Sequence, residues 1–185
     1  MNRTIVGTGL AGAMTALVAL GLAGPAAGAR CALTPSATEG PYYTPGAPMR
    51  SRIATRGTTG TPLVLTGVVR DTSCRPVARA TVDVWQADGA GRYDNRGYRL
   101  RGRVRANARG AWTIRTVVPG RYPGRTEHIH VKVSAPGGAV TTTQLYLPGA
   151  SGNASDQFFQ KALLIRGLRR TSRPWRATYP FVVRR

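Results

Sequence analysis

The chain has 185 residues and a formal net charge of +20, from 27 lysines and arginines against seven acidic residues. This length suits one domain with a real hydrophobic core. The arginines are spread along the whole chain without a nucleic-acid-binding motif, so the charge predicts a solvated basic surface and no nucleic-acid partner. Weak attraction to anionic surfaces stays open.

The first 29 residues have the pattern of a secretory signal peptide. Arg3 is followed by an apolar run over 5–23 and by Ala-Gly-Ala at 27–29, which is a cleavage signal. An uncleaved membrane anchor is the alternative, but the run is rich in glycine and alanine. The sequence therefore predicts a mature chain that begins at Arg30, is secreted or associated with the cell envelope, and is not inserted in a membrane.

The predicted mature part contains two cysteines, Cys31 and Cys74. In an oxidising compartment two cysteines most simply form one disulfide, here between the start of the chain and the β-rich region. Buried free thiols are the alternative. Neither cysteine belongs to a Cys-x-x-Cys pattern, so metal binding by the cysteines is not expected.

The predicted elements favour an all-β sandwich. Residues 30–60 are rich in Pro, Gly, Ser and Thr and read as an extended N-terminal arm, followed by a domain over 61–185. Short strand-like runs separated by turn signals are typical of a sandwich or barrel. One short helix is predicted over 156–165, with Ser155 as its N-cap. The predicted strands are 62–70, 80–86, 111–118, 127–134, 140–147 and 177–183.

Four residues near the middle of the chain carry the chemistry. His128 and His130 are the chain's two histidines, and residues i and i+2 of a strand point to the same face. Tyr93 and Tyr122 each follow a glycine-containing turn near a predicted strand end, where functional loops gather. Two imidazoles and two phenols form an unusual donor set, because phenolate is a hard anionic ligand suited to ferric iron.

In chain order, these residues stand in a series of short motifs. Among them are Thr-Glu-Gly-Pro-Tyr-Tyr at 38–43, Gly-Arg-Tyr at 91–93, Val-Pro-Gly-Arg-Tyr-Pro at 118–123 and Glu-His-Ile-His at 127–130. The series resembles the intradiol ring-cleavage dioxygenases, which include catechol 1,2- and protocatechuate 3,4-dioxygenases. The resemblance covers the segments 33–43, 65–71, 80–88, 91–93, 100–102, 116–130 and 143–146.

The resemblance implies a function and a role for individual residues. Tyr93, Tyr122, His128 and His130 look like the protein ligands of one non-haem iron(III) ion, and Tyr122 also looks like the acceptor of a substrate proton. The substrates would be a catechol and O2, with cleavage between the two hydroxylated carbons to a muconate-type product. Arg125 matches the arginine that stabilises negative charge on the substrate, and Gln144 matches a glutamine that contacts substrate or oxygen.

Other interpretations of the same residues stay open. A transthyretin-like β-sandwich that only binds would suit the segment 67–88 equally, and a structural zinc site would use His128 and His130 but leave both tyrosines unexplained. Trp85 is expected to pack in the core, and Tyr42 either to pack or to form a wall of the pocket. The chain lacks the long helical N-terminal dimerisation segment of catechol 1,2-dioxygenases, so neither the substrate nor a homo-oligomer follows from the resemblance.

Overall fold

A computed structural model describes Met1 and residues 30–170 and 173–185. The predicted signal peptide therefore lies, except for Met1, outside the described residues, and its cleavage stays a prediction. The described residues form nine strands. They are β1 (Pro62–Asp71), β2 (Thr81–Trp85), β3 (Arg101–Arg105), β4 (Ala111–Val117), β5 (His128–Ser134), β6 (Thr141–Tyr146), β7 (Arg166–Arg169), β8 (Trp175–Thr178) and β9 (Phe181–Val183).

The strands pair into two sheets, as the sequence predicted for a β-sandwich. One sheet has the order β4-β1-β8-β7, with β9 paired to the far end of β1, and the other has the order β3-β2-β5-β6. Alternate residues of β5 show why the sheets stack. Ile129, Val131 and Val133 are fully buried in the core shared by the two sheets, whereas His128 and His130 point to the opposite face of the four-stranded sheet.

The arm predicted over 30–60 covers that opposite face. Its backbone is tied to strand ends, because the N–H of Ala37 donates to Thr142 O at 2.9 Å and the N–H of Thr34 donates to Val182 O at 3.0 Å. The predicted disulfide between Cys31 and Cys74 is confirmed, with a Cα–Cα distance of 5.2 Å. It fastens the start of the arm to the turn after β1.

The predicted helix over 156–165 is wrong. Only Lys161–Leu163 forms a single 3-10 turn there, and Ser155 follows a second 3-10 turn, Ser151–Ala154, instead of capping a helix. Side-chain hydrogen bonds to the backbone compete with a helix in this segment. Asp156 Oδ1, for example, accepts a hydrogen bond from the backbone N–H of Phe158 at 2.9 Å. Within the described residues no helix is long and apolar enough to cross a bilayer.

Two further differences concern strands. Strand β3 was not predicted, because its sequence Arg-Gly-Arg-Val-Arg lacks an apolar alternation. The predicted final strand over 177–183 is divided into β8 and β9, which pair in parallel with successive parts of β1.

Candidate metal centre and active site

The two histidines form the floor of the candidate site. Only 2% of His128 and 1% of His130 is exposed, and their Nε2 atoms lie 3.1 Å apart. His128 Nδ1 lies 2.6 Å from Thr126 O, and a proton on Nδ1 makes this a hydrogen bond and leaves the lone pair on Nε2. The two Nε2 atoms can therefore share either a proton or a cation.

Burial decides the protonation state of both rings. Burial lowers the pKa of His128 to about 4, and it lowers the pKa of His130 well below its ordinary value. Both imidazoles are neutral at pH 7, as a metal ligand must be. His130 Nδ1 is buried and has no hydrogen-bond partner among the described residues.

The two tyrosines lie over the histidines, on the loops that follow β2 and β4. The ring centroids of Tyr93 and Tyr122 are 5.8 Å apart. The ring centroid of Tyr122 lies 5.5 Å from that of His128, and the ring centroid of Tyr93 lies 6.3 Å from that of His130. The structure thus brings all four predicted ligands together, although Tyr93 and His130 are separated by 37 positions in the sequence.

A close crossing of two loops brings the tyrosines together. Gly91 has a φ of +78°, and a Cβ atom on it would lie 2.0 Å from Arg121 O. Only glycine fits there, because it adopts positive φ freely and leaves space for the crossing backbone. The N–H of Gly120 donates to Asp88 O at 2.7 Å and locks the same crossing.

The donor set fits a highly charged cation. Burial raises the pKa of Tyr93 and of Tyr122, although Arg125 opposes the increase at Tyr122. Both phenols are therefore neutral at pH 7 unless a strong positive charge holds them as phenolates. Within the described residues no three or more His, Cys, Asp or Glu side chains cluster as ligands for a metal. Two neutral imidazoles with two phenols fit ferric iron.

Arg125 and Gln144, both predicted site residues, lie beside the phenol of Tyr122. Arg125 Nη1 donates to the Tyr122 hydroxyl at 3.2 Å, and Nη2 donates to Gln144 Oε1 at 2.6 Å. On its remaining side the guanidinium forms an ion pair with Asp156, and Arg125 Nε lies 3.0 Å from Asp156 Oδ2. The three predicted catalytic residues therefore form one hydrogen-bonded group at the edge of the donor set.

Asp156 was missed by sequence reasoning, because it was assigned to the first turn of a helix. Burial raises the pKa of Asp156, but hydrogen bonds from the backbone N–H groups of Thr126 and Phe158 and from Arg125 outweigh it. The net pKa lies below the ordinary value, so the carboxylate is ionised and holds the Arg125 cation in place.

A second missed residue, Arg101, belongs to a row of side chains across the four-stranded sheet. Arg101, Trp85, His130 and Gln144 are register partners on neighbouring strands. Arg101 is 1% exposed and donates to Tyr42 O and Asp94 O at 2.6 and 2.8 Å. Trp85 is buried, but on the covered outer face and not in the core between the sheets, where it was expected, and its ring stacks on His130 with centroids 4.8 Å apart.

The arm forms the roof of the site. The Tyr42 ring stacks on Tyr93 with centroids 4.4 Å apart and meets Tyr122 edge-on at 6.0 Å. A cavity of about 370 Å³ opens between residues 38–41 of the arm, residues 122–125, and Gln157 with Phe158. Since an apolar cavity of about 150 Å³ accommodates benzene, this space suits one aromatic ring. A larger depression of about 800 Å³ lies on the other sheet, away from the donor set.

Comparison with known proteins places the chain in a family. The model of the Dioxygenase family matches residues 38–171. The dioxygenase domain of a dioxygenase–carbohydrate-binding protein fusion from Streptomyces sp. SirexAA-E is 44% identical, with a TM-score of 0.80 over 83% of this chain and 99% of that domain. An intradiol ring-cleavage dioxygenase from Tetranychus urticae is 25% identical, with a TM-score of 0.76 over 83% of this chain and 95% of that one.

A curated relative points the same way. Catechol 1,2-dioxygenase 2 of Acinetobacter lwoffii is 34% identical over 142 residues, which are 63% of this chain and 52% of that enzyme. The chain spans about half the length of curated relatives such as this one. From the family match, the fold and these relatives, the chain belongs to the intradiol ring-cleavage dioxygenase family.

Proposed function

We propose that the chain is a secreted, non-haem iron(III) dioxygenase that cleaves catechol-type rings between the two hydroxylated carbons. Both atoms of O2 would enter the muconate-type product. The observation that supports this most directly is the convergence of Tyr93, Tyr122, His128 and His130 on one space beside a ring-sized cavity. The disulfide is consistent with an oxidising compartment, which supports the proposal of secretion.

Tyr93, Tyr122, His128 and His130 would hold the iron. When bound, a ferric ion supplies the positive charge that keeps both phenols deprotonated and the Lewis acidity that activates a chelated catechol. The Trp85 ring, stacked on His130 with an interplanar angle of 9°, fixes the plane of that imidazole, and Thr126 O fixes the tautomer of His128.

Tyr122 is the residue that we assign as the acceptor of a substrate proton. Its hydroxyl is half-buried at the cavity and receives the Nη1–H of Arg125, which stabilises a phenolate oxygen in that place. Tyr93 is covered by the ring of Tyr42 and receives no such hydrogen bond from the described residues, so we assign it as the permanent ligand of the two.

Arg125 supplies a fixed positive charge where negative charge develops on the substrate. It is 8% exposed, and Asp156, Tyr122 and Gln144 orient its three sides. A donor that is oriented before the reaction stabilises developing charge without reorganisation. Because Asp156, Tyr122 and Gln144 already bind Arg125, the substrate needs no carboxylate group to neutralise the Arg125 charge. We therefore propose unsubstituted catechol as the first substrate to test.

The deciding experiment is the visible spectrum of the purified protein together with its iron content. Charge transfer from tyrosinate to iron(III) should give a red to brown colour, and the band should shift when catechol is added without O2. Admitting O2 should then give a muconate product. A protein that stays colourless after reconstitution with iron would overturn the proposal and favour a transthyretin-like binding module. The variant Tyr93→Phe, which lacks one of the two phenol groups, is compared with the parent protein in the same measurements.

A further inference from the structure

A row of arginines crosses the outer face of the five-stranded sheet. Arg52 bridges to Arg115 on β4, Arg115 pairs with Val64 on β1, Val64 pairs with Arg176 on β8, and Arg176 pairs with Arg169 on β7. Register partners present their side chains on the same face, so the four arginines share one line. With strands about 4.8 Å apart, the line is roughly 19 Å long. All four arginines are exposed.

The depression of about 800 Å³ lies at the Arg52–Arg115 end of this line. We name it the arginine cleft, and its lining includes Arg52, Arg56, Arg115 and Arg173 around apolar Pro62 and Val64. The guanidinium groups are therefore arranged around an apolar floor. Such a surface has room for a ligand that carries anionic groups along its edges and apolar faces between them.

Among the residues that the structure describes, no acidic side chain pairs with the arginines of the cleft. The chain has seven acidic side chains, and each of them has its partner elsewhere. Their partners are Lys132 for Glu39, Arg75 and Arg185 for Asp71, Tyr43 for Asp83, Arg92 for Asp88, the backbone around Arg99 for Asp94, Thr126 for Glu127 and Arg125 for Asp156. Like charges placed directly across neighbouring strands destabilise a sheet, so the row costs stability unless an anion binds it.

We propose that the arginine cleft binds a linear polyuronate, an acidic polysaccharide with a carboxylate on each sugar. The planar guanidinium matches a carboxylate with two parallel hydrogen bonds, and the apolar floor can receive the C–H faces of sugar rings. No aromatic side chain lines the described part of the cleft, which disfavours single-stranded nucleic acid because its bases need rings to stack on. This binding is separate from the proposed dioxygenase activity and does not depend on it.

The test measures binding of the purified chain to polygalacturonate by calorimetry at physiological salt, with neutral dextran and a dT oligonucleotide as comparison ligands. The double variant Arg52→Gln/Arg115→Gln should weaken polygalacturonate binding at least about tenfold, the size expected when charge-assisted hydrogen bonds are lost. The matched control Arg105→Gln/Arg109→Gln removes the same charge from exposed positions on and after β3 and should change binding less than about twofold.

Three outcomes would overturn the proposal. The first is an equal loss of binding in both double variants, which would mean general charge attraction. The second is binding to polygalacturonate that is no stronger than binding to dextran. The third is tighter binding to the oligonucleotide than to polygalacturonate. The melting temperature and the turnover of a small catechol report whether each variant is folded. Neither should fall in the Arg52→Gln/Arg115→Gln variant, because both side chains are exposed and distant from the donor set. Failure of the dioxygenase proposal would leave these binding results unchanged.

Discussion

The two sheets of the sandwich use their outer faces in opposite ways. On the four-stranded sheet the arm covers the outward-pointing residues around the site, and the charges there have partners, such as Glu39 for Lys132. Arg105, at the end of β3, stays exposed. On the five-stranded sheet the four arginines of the row from Arg52 to Arg169 are exposed, and none of them forms an ion pair within the described part of the chain. The same two-residue alternation produces both faces. The difference shows that a covering segment turns a polar strand face into a site with shifted pKa values.

The largest expected effect is on the covered face. His130→Ala should abolish iron binding and the visible colour, and lower turnover by more than about 100-fold. Even substitution of a residue that only hydrogen-bonds to a metal ligand typically lowers metal affinity or activity by about 10–100-fold. Metal analysis and the spectrum measure this. Lys132→Met, on the same face of β5, is the control and should keep its iron. An iron-loaded, coloured His130→Ala protein would contradict the ligand assignment.

Next comes the buried ion pair. Asp156→Asn leaves Arg125 buried without its counterion and should cost about 3–5 kcal/mol of unfolding free energy. Glu39→Gln, which breaks a more exposed pair, should cost less than about 1 kcal/mol. Urea unfolding of both variants checks this, and equal costs would contradict the contrast.

The same carboxylate predicts a pH dependence. The pKa of Asp156 is lower in the folded than in the unfolded chain, so its contribution to stability is complete above the unfolded pKa of about 4 and is lost as pH falls through the folded pKa. The melting temperature of the parent protein should therefore decrease below about pH 4, and Asp156→Asn should show a shallower decrease. Parallel curves would remove Asp156 from the explanation.

Two arginine substitutions compare the faces directly. Arg125→Met should lower kcat by about 10²–10³ while iron content is retained, because one oriented donor to the developing charge is lost. Arg115→Met, on the exposed face, should leave kcat with a small catechol unchanged. Steady-state kinetics on iron-matched samples decides, and a similar loss in both variants would mean that general charge, not orientation, drives the reaction.

The smallest effect is expected on the exposed face. Arg115→Thr removes a like-charge contact with Arg52 and places a residue with good strand propensity in β4, so it should stabilise the protein by about 0.2–1 kcal/mol. The gain should shrink at high salt, where the repulsion is screened. A destabilised Arg115→Thr protein at low salt would show that the row is not repulsive.

The sequence predicted the parts of this molecule that depend on alternation. The face shared by His128 and His130, and the core face through Ile129, follow from the period of a strand. Strand β3 could not be found this way, because Arg101 is buried through hydrogen bonds to carbonyls of Tyr42 and Asp94, which no local pattern shows.

The ends of the site were predicted less well. The spacing of Phe158, Phe159 and Leu163 suggested a helix, but tertiary hydrogen bonds decide that segment. Tyr146 Oη lies 2.7 Å from Phe158 O, and Gln160 Nε2 donates to Ser36 O at 3.0 Å. The predicted conjunction of Tyr93 with Tyr122 depended on the resemblance, and the structure supplies its cause in the backbone crossing at Gly91.

Because the sheets stack face to face, their outer surfaces point away from each other across the core. The cavity beside Tyr122 and the arginine cleft share no lining residue. Ligands on the two surfaces should therefore bind with additive free energies, since no side chain is common to both. A molecule bound to a polymer through its arginine cleft would keep the cavity beside Tyr122 exposed to solvent, so that a small substrate could still reach it.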